Sequence, residues 1–343
     1  MAEDLLPGPA VRRRSATGGI VVLALLACAV ILVAILSLAS GARPISAVTI
    51  LSAMTGFDPD NFDHQALMLF RLPRLEAAVL VGGALALTGA LMQTVIRNPL
   101  AEPQLLGLNS GAAFAVVATS FAGLDASGSL RPVIAAIGAF TAFAMVLTLS
   151  GIGRTGATPV KVTLSGVIVS AFASSLTSAL LLIDDQALQD LRFWLAGDLA
   201  GQAAGHISTS ALVIGAAVLA AILLSPRLAA LSLGDEVARG LGVNVKATRI
   251  AALAIAAILC GAAVTLAGPI GFIGLIVPHL VRRIMGDGLR LQFAACLLGG
   301  PILLLSADML ARQLIAPAEI ATGVITGAVG AFFFVILVAR YFR

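Results

Sequence analysis

The sequence predicts an all-α polytopic membrane protein of ten spans, with both termini on the same side of the bilayer. Composition, the length of the apolar runs and the placement of basic residues each point there. Of 343 residues, 59% are hydrophobic and only 11% charged, with a mean hydropathy of +1.06. A soluble domain carries about 25% charged residues, so this chain cannot present a water-compatible surface all round. The apolar runs are unbroken and close to the ~20 residues a helix needs to cross the hydrocarbon core; strands of a membrane barrel would instead alternate over about ten residues.

Nine clear apolar segments fall at 18–40, 67–92, 105–123, 131–152, 161–183, 205–224, 246–268, 290–315 and 319–341. A tenth, 269–285, lies in "GPIGFIGLIVPHLVRRIMGDGLR", where Gly and Pro interrupt a short apolar run, and charge decides whether it crosses. With Arg12–Arg14 inside and all ten segments crossing, 15 of the 21 Lys and Arg fall inside. Outside remain Arg43, Arg71, Arg74, Arg131, Arg192 and Arg312. Without the tenth crossing the division is 11 against 10 and the positive-inside bias disappears. The mild excess of basic over acidic residues (21 against 17) reflects this bias and not a nucleic-acid surface.

Residues 1–17 read as a cytoplasmic tail and 18–343 as a single ten-span unit. The first run, Ile20–Ala39, is too long for a signal-peptide core and lacks a convincing cleavage site, so it reads as a retained span. Span 2 begins outside at "RLPR", which places Arg71 and Arg74 there against the general bias. Arg312, at the outer end of span 9, joins them. The planar guanidinium can engage a carboxylate with two hydrogen bonds, which suits a contact made across the surface. Snorkelling, or pairing with Glu76 or Asp308, is the alternative.

Span 5 carries Ser170, Ser174 and Ser178 at i, i+4 and i+8, with Ser175 and Thr177 beside them. That face reads either as close packing by small residues or as a weakly polar wall of a translocation path. Span 10 offers Thr322 and Thr326, near a Gly323-x-x-x-Gly327 pair, with the same two readings.

Two loops exceed a turn, the outer 184–204 and the inner 225–245. The inner loop reads as two short helices separated by glycine, with Asp235 and Glu236 after Gly234 at a helix start, where acids are favoured. It is either an amphipathic connector on the bilayer surface or a docking element for an energy-supplying partner. The chain has two lysines, Lys161 and Lys246, and both follow valine, so there is no Walker A loop and no self-supplied ATP chemistry. His64, His206 and His279 are scattered without metal-ligand spacing. Cys28, Cys260 and Cys296 read as small core hydrophobes. Phe193 and Trp194 suit an aromatic belt or a lip over the outer mouth.

"LSLGDEVARGLGVNVKATR" (231–249) resembles the coupling loop of the FecCD permease family, the membrane subunits of ABC importers for ferric siderophores, haem and cobalamin. "RLPR…VGGALALTGALMQTVIRNPLAEPQLLGLNSGAA" (71–113), "LRFWLAGDL" (191–199), "GPIGFIGLIVPHLVR" (268–282), "ADMLAR" (307–312) and "PAEIATGVITGAVGAFFF" (317–334) resemble further family segments in the right order. The resemblance implies a type II importer permease fold, with spans 2–5 and 7–10 as an inverted repeat, and no enzymatic activity of its own. It implies ATPase coupling at Gly234, Asp235, Glu236, Ala238, Arg239, Leu241 and Gly242, and an inner gate near Thr155 and Thr158 in "RTGATPVK". It implies that Arg71, Arg74 and Arg312 meet acidic residues of a binding protein.

The implied partners are a second permease (identical or paralogous), two ATP-binding subunits holding ATP and Mg, and a periplasmic or lipid-anchored binding protein. This chain itself would bind no cofactor or metal. The implied substrate is a ferric chelate, closest in look to the ferric-enterobactin type, with haem or cobalamin as alternatives, crossing a bacterial inner membrane. A self-sufficient secondary transporter would bury ionisable groups in mid-span, whereas Glu76 and Asp308 sit near span ends. An intramembrane enzyme would need a catalytic set that no span carries.

Overall fold

The computed structural model describes residues 16–41, 43–104, 106–123, 130–152, 159–183, 194–200, 204–286, 288–316 and 318–341. The regular elements among the described residues are all helices, with no strand. The first helix, α1 (Ala16–Ala39), is followed by two short ones, α2 (Ala47–Thr55) and α3 (Phe62–Gln65). A π-helical turn, Ala66–Arg71, then leads into α4 (Leu72–Ile96). Next come α5 (Leu108–Phe121), α6 (Arg131–Gly151), α7 (Pro159–Ile183) and α8 (Ala204–Ser232). The surface helix α9 (Asp235–Gly240) precedes α10 (Val245–Ala267), α11 (Ile273–Met285), α12 (Leu289–Gln313) and α13 (Thr322–Tyr341).

Seven of these helices are long and apolar enough to cross a membrane, and two shorter ones, at Leu108–Phe121 and Thr322–Leu337, are apolar as well. The broken tenth segment forms α11, whose 13 residues span only about 20 Å at 1.5 Å per residue. The stretch 269–272 ahead of it is not helical.

Two helices, α4 and α10, form the centre. Each is apolar round its whole circumference, as a helix without a solvent face must be, and each is 78% buried over its apolar window, against 6% for α1. They pack against each other and exchange partners between the two halves of the chain. Helix α4 lies among α11 and α12, and α10 lies among α5 and α6. The opening helix of each half is thus inserted into the other half, the arrangement expected of a swapped inverted repeat.

Small residues bring the backbones together. A Cβ on Gly89 of α4 would lie 1.9 Å from the Gly274 carbonyl oxygen of α11, and one on Gly300 of α12 would lie 2.0 Å from the Gly82 oxygen. Gly89→Ala is therefore expected to destabilise the chain by about 1–3 kcal/mol through overpacking. Gly215→Ala in α8, where a Cβ meets nothing within 4 Å, is expected to be neutral or stabilising. Thermal unfolding of the two variants in one detergent checks the contrast.

The breaks in the two halves are joined. Arg97 ends α4 at φ 54° and Phe272 caps α11 at φ 68°, both left-handed and neither a glycine. Such residues persist only where the surroundings hold them. The surroundings of Phe272 are visible: the buried carboxylate of Glu102, in the loop after α4, accepts its N–H. Asn109 Nδ2 donates to Ile270 O at 2.9 Å, and Cys260 Sγ donates to Asn109 Oδ1 at 2.9 Å. Cys260 is therefore a hydrogen-bonded member of this junction as well as a packing residue. Gln93 Nε2 adds a bond of 3.0 Å to Gly274 O.

Candidate functional site

Charged groups gather at the two ends of α4, and the sequence-predicted residues divide between them. At the N-terminal end, Asp308 of α12 is the hub, at 1% side-chain exposure. Arg74 Nε donates to Asp308 Oδ1 at 2.9 Å, and its Nη1 donates to Glu319 Oε2 at 2.7 Å. Asp198 stands 3.8 Å from Arg74 Nη2. Arg312, one turn after Asp308, pairs with Oδ2 at 3.1 Å. It also donates to Ser40 O at 2.9 Å and to Ser37 Oγ at 2.8 Å at the end of α1. Thr322 Oγ1 donates to Asp308 Oδ1 at 3.0 Å. Arg71 donates to Leu38 O at 2.6 Å and to the Arg43 carbonyl.

The three arginines singled out for docking therefore do converge, but each guanidinium is engaged within the chain, and Glu76 takes none of them. The cluster opens into a cleft of about 420 Å³ whose lining includes Arg43, Phe62, Phe70, Arg71 and Glu319. Arg43, with a 71% exposed side chain, is the most exposed of the cations lining this cleft.

At the other end of α4, about 35 Å away along 23 residues of helix, Arg97 Nη2 donates to Asp235 Oδ1 at 2.6 Å and to Leu231 O at 2.5 Å. Arg249 Nη2 reaches the same Asp235 oxygen at 3.0 Å. Asp235 is the first residue of α9. Gly234 before it takes φ 119°, a conformation open to glycine, and Gly242 after it takes φ 77°. Ala238 points inward and is buried, while Leu233, Val237 and Leu241 stand exposed. Glu236 and Arg239 are exposed on the same short helix. The loop read as a connector or docking element is thus an apolar-faced helix clamped to α4 through one carboxylate.

Other predicted residues fall elsewhere. Ser174, Ser175 and Ser178 lie on an exposed face of α7, whereas Ser170 is partly buried and Ser170 Oγ donates to Gln104 O at 3.2 Å. Thr177 is buried and bonded to Ala173 O. Thr322 and Thr326 are buried, at 0% and 3% exposure; Thr322 is spent on Asp308, and the exposed side of α13 is carried by Val324 and Phe332. Thr155, Thr158 and Phe193 lie outside the described residues, as does the side chain of His206. His64 is buried between Ser52 Oγ and the Asp58 N–H, and His279 meets Phe333 edge to face. Among the described residues no cluster of His, Cys, Asp and Glu could hold a metal ion.

Sequence reasoning missed Asp198 and Glu319 as partners of Arg74, and Arg97 and Arg249 as the clamp on Asp235. Only Asp308–Arg312 had a local signal, the i, i+4 spacing.

The profile of the FecCD transport family matches residues 29–340. The chain belongs to the FecCD transport family. Within this family it is 38% identical over 334 residues to the ferric enterobactin transport system permease protein FepD of Escherichia coli K12, covering 97% of this chain and 98% of that protein. It is 39% identical over 327 residues to the hemin transport system permease protein HmuU of Yersinia pestis, covering 90% and 93%. The fold superposes with a TM-score of 0.79 on a solved transporter described as of the metal-chelate ABC type, in an inward-facing conformation. That comparison has 29% identity and covers 94% of this chain and 99% of the other. As a FecCD member, the chain is a multi-pass permease of the ABC-importer kind, with the type II fold and no enzymatic role. Both charged clusters lie within the matched residues.

Proposed function

We propose that this FecCD permease carries a ferric siderophore from the periplasm to the cytoplasm across the bacterial inner membrane. All ten segments cross, both termini are cytoplasmic, and residues 18–343 act as one unit. It works beside a second permease, identical or paralogous, with two ATP-binding subunits that hold ATP and Mg and a periplasmic or lipid-anchored binding protein. This chain holds no cofactor of its own.

The observation that carries the reading is α9. A short surface helix with an exposed apolar flank at Leu233, Val237 and Leu241, fixed by Asp235 to Arg97 at the end of the central helix α4, is suited to receive a push from a partner and pass it inward. Helix α4 then links it to the cluster around Asp308, where Arg43 and Arg71 are the residues best placed to meet carboxylates of a binding protein. Ser174 and Ser178 on α7 suit the wall of the path between two permeases, since they can pass a bulky chelate without binding it. Thr322 and Thr326 belong to the same path only if α13 turns during transport, and the gate assigned to Thr155 and Thr158 rests on family likeness.

The siderophore assignment follows the likeness to the enterobactin permease. Haem is the second reading, favoured by the comparable identity to the hemin permease, 39% against 38%. Co-expression with an ATP-binding subunit tests the assembly. The full chain is expected to copurify with that subunit, and recovery of the chain alone from every such preparation would contradict the reading.

A further inference from the structure

Beside α9 lies a basic cavity of about 910 Å³ at the ends of α4, α6, α7 and α10. Its rim carries Arg239, Lys246 and Arg249, with Asp235 the single acid in its lining. That acid is already engaged by Arg97 and Arg249. Among the described residues, Arg239 and Lys246 have no ion-pair partner, so the rim is left with excess positive charge. Its walls are apolar, formed by Val95, Leu147, Ile250 and Leu253 among others.

A second cavity, of about 450 Å³ and wholly apolar in its lining residues, lies further along the same two helices. Val133, Ala136, Ile137 and Phe140 come from α6, and Ala254, Ala257 and Ile258 from α10, with Val213 from α8. The two cavities share one stripe of each helix. On α10, residues 246, 250, 254 and 258 recur at helical spacing, and on α6 Phe140 and Leu147 lie two turns apart. The stripe is open to the outside, with Ile250 at 50% exposure and Ile137 at 60%. From Lys246 to Ile258 it runs for about 18 Å, comparable to the roughly 15 Å depth of one leaflet.

We propose that this groove binds an anionic phospholipid, its phosphate against Lys246 and Arg249 and one acyl chain laid between α6 and α10. A basic pocket between spans at the end of the bundle has the chemistry for an acidic headgroup. The apolar stripe excludes a free phosphate as sufficient occupant, because such an ion would leave those walls uncovered. The charge selects the headgroup and the stripe selects the chain. The lipid would brace α10 beside the Asp235 clamp without touching α9's exposed apolar face. The proposal is independent of which chelate is carried.

Native mass spectrometry of the full chain, offered equal phosphatidylglycerol and phosphatidylethanolamine, tests it. The chain should retain phosphatidylglycerol in preference. Lys246→Gln should weaken retention about five-fold, the worth of one cation near a membrane surface. Ile250→Ser should weaken it with both cations intact. Arg227→Gln, an exposed cation near the C-terminal end of α8 and outside the cavity lining, should leave it unchanged. Equal retention of the two lipids, or an equal effect of Lys246→Gln and Arg227→Gln, would overturn the proposal. Full displacement by glycerol phosphate would reduce the site to an ion pocket and also overturn it. So would loss of the lipid when the ATP-binding subunit assembles, which would assign the cavity to that partner.

Discussion

Asp308→Ala is expected to lower stability by about 3–5 kcal/mol, the usual cost of removing one partner of a buried ion pair. The reason is geometric. Asp308 receives Arg74 from α4, Arg312 from its own helix and the Thr322 hydroxyl from α13. Its loss leaves two guanidiniums near each other with Glu319, itself 47% exposed, and Asp198, 3.8 Å from Arg74, as the remaining acids. Glu319→Gln breaks a more solvated pair and should cost about 1 kcal/mol or less. Thermal unfolding of the purified chain, compared for the two variants, checks the order. Equal shifts would mean that Asp308 is not the hub. Charge reversal at Arg74 or Arg312 would, for the same reason, disturb folding along with any docking, and Arg71 holds two backbone carbonyls, so the exposed Arg43 is the cleaner position for probing a binding protein.

Leu241→Asp is expected to abolish productive association with the ATP-binding subunit while leaving the fold intact. The side chain is 63% exposed and lies beside Leu233 and Val237 on an apolar surface. A charge there is costly to bury in an apolar contact, and a central apolar contact of this kind is worth about 2 kcal/mol or more. The measurement is affinity capture of the ATP-binding subunit by the full chain, with a loss of about thirty-fold or more expected. Ala238→Asp, by contrast, should fail earlier, at the level of folding, because Ala238 is fully buried.

Much of this arrangement was legible in the sequence. Run length and charge bias implied the spans and the odd character of residues 269–285, which emerge as the non-helical stretch 269–272 and the short α11. Gly234 and the acids after it marked the start of α9. The pairings were not legible, because they join distant parts of the chain. Arg74 meets Asp308 and Glu319 across 234 and 245 residues, and Arg97 meets Asp235 across 138. Nothing local in "RLPR" distinguishes an arginine held by buried carboxylates from one waiting for a partner. Periodicity likewise found a polar face on α13 but could not tell which way it points. Thr322 turned out to face Asp308 and not an opening. The approach of α4 to α11 at Gly89 depends on the absence of two side chains, and a glycine in an apolar helix has many explanations.

The central claim is that this chain is a passive path driven from outside itself through α9. Uptake of a radiolabelled ferric siderophore into proteoliposomes measures it most directly, with the chain reconstituted together with its ATP-binding subunits, a second permease and a binding protein. Accumulation should require ATP hydrolysis, vanish when the ATP-binding subunits are omitted, and vanish with Leu241→Asp. Robust accumulation by the purified chain alone, driven by a proton gradient, would contradict it.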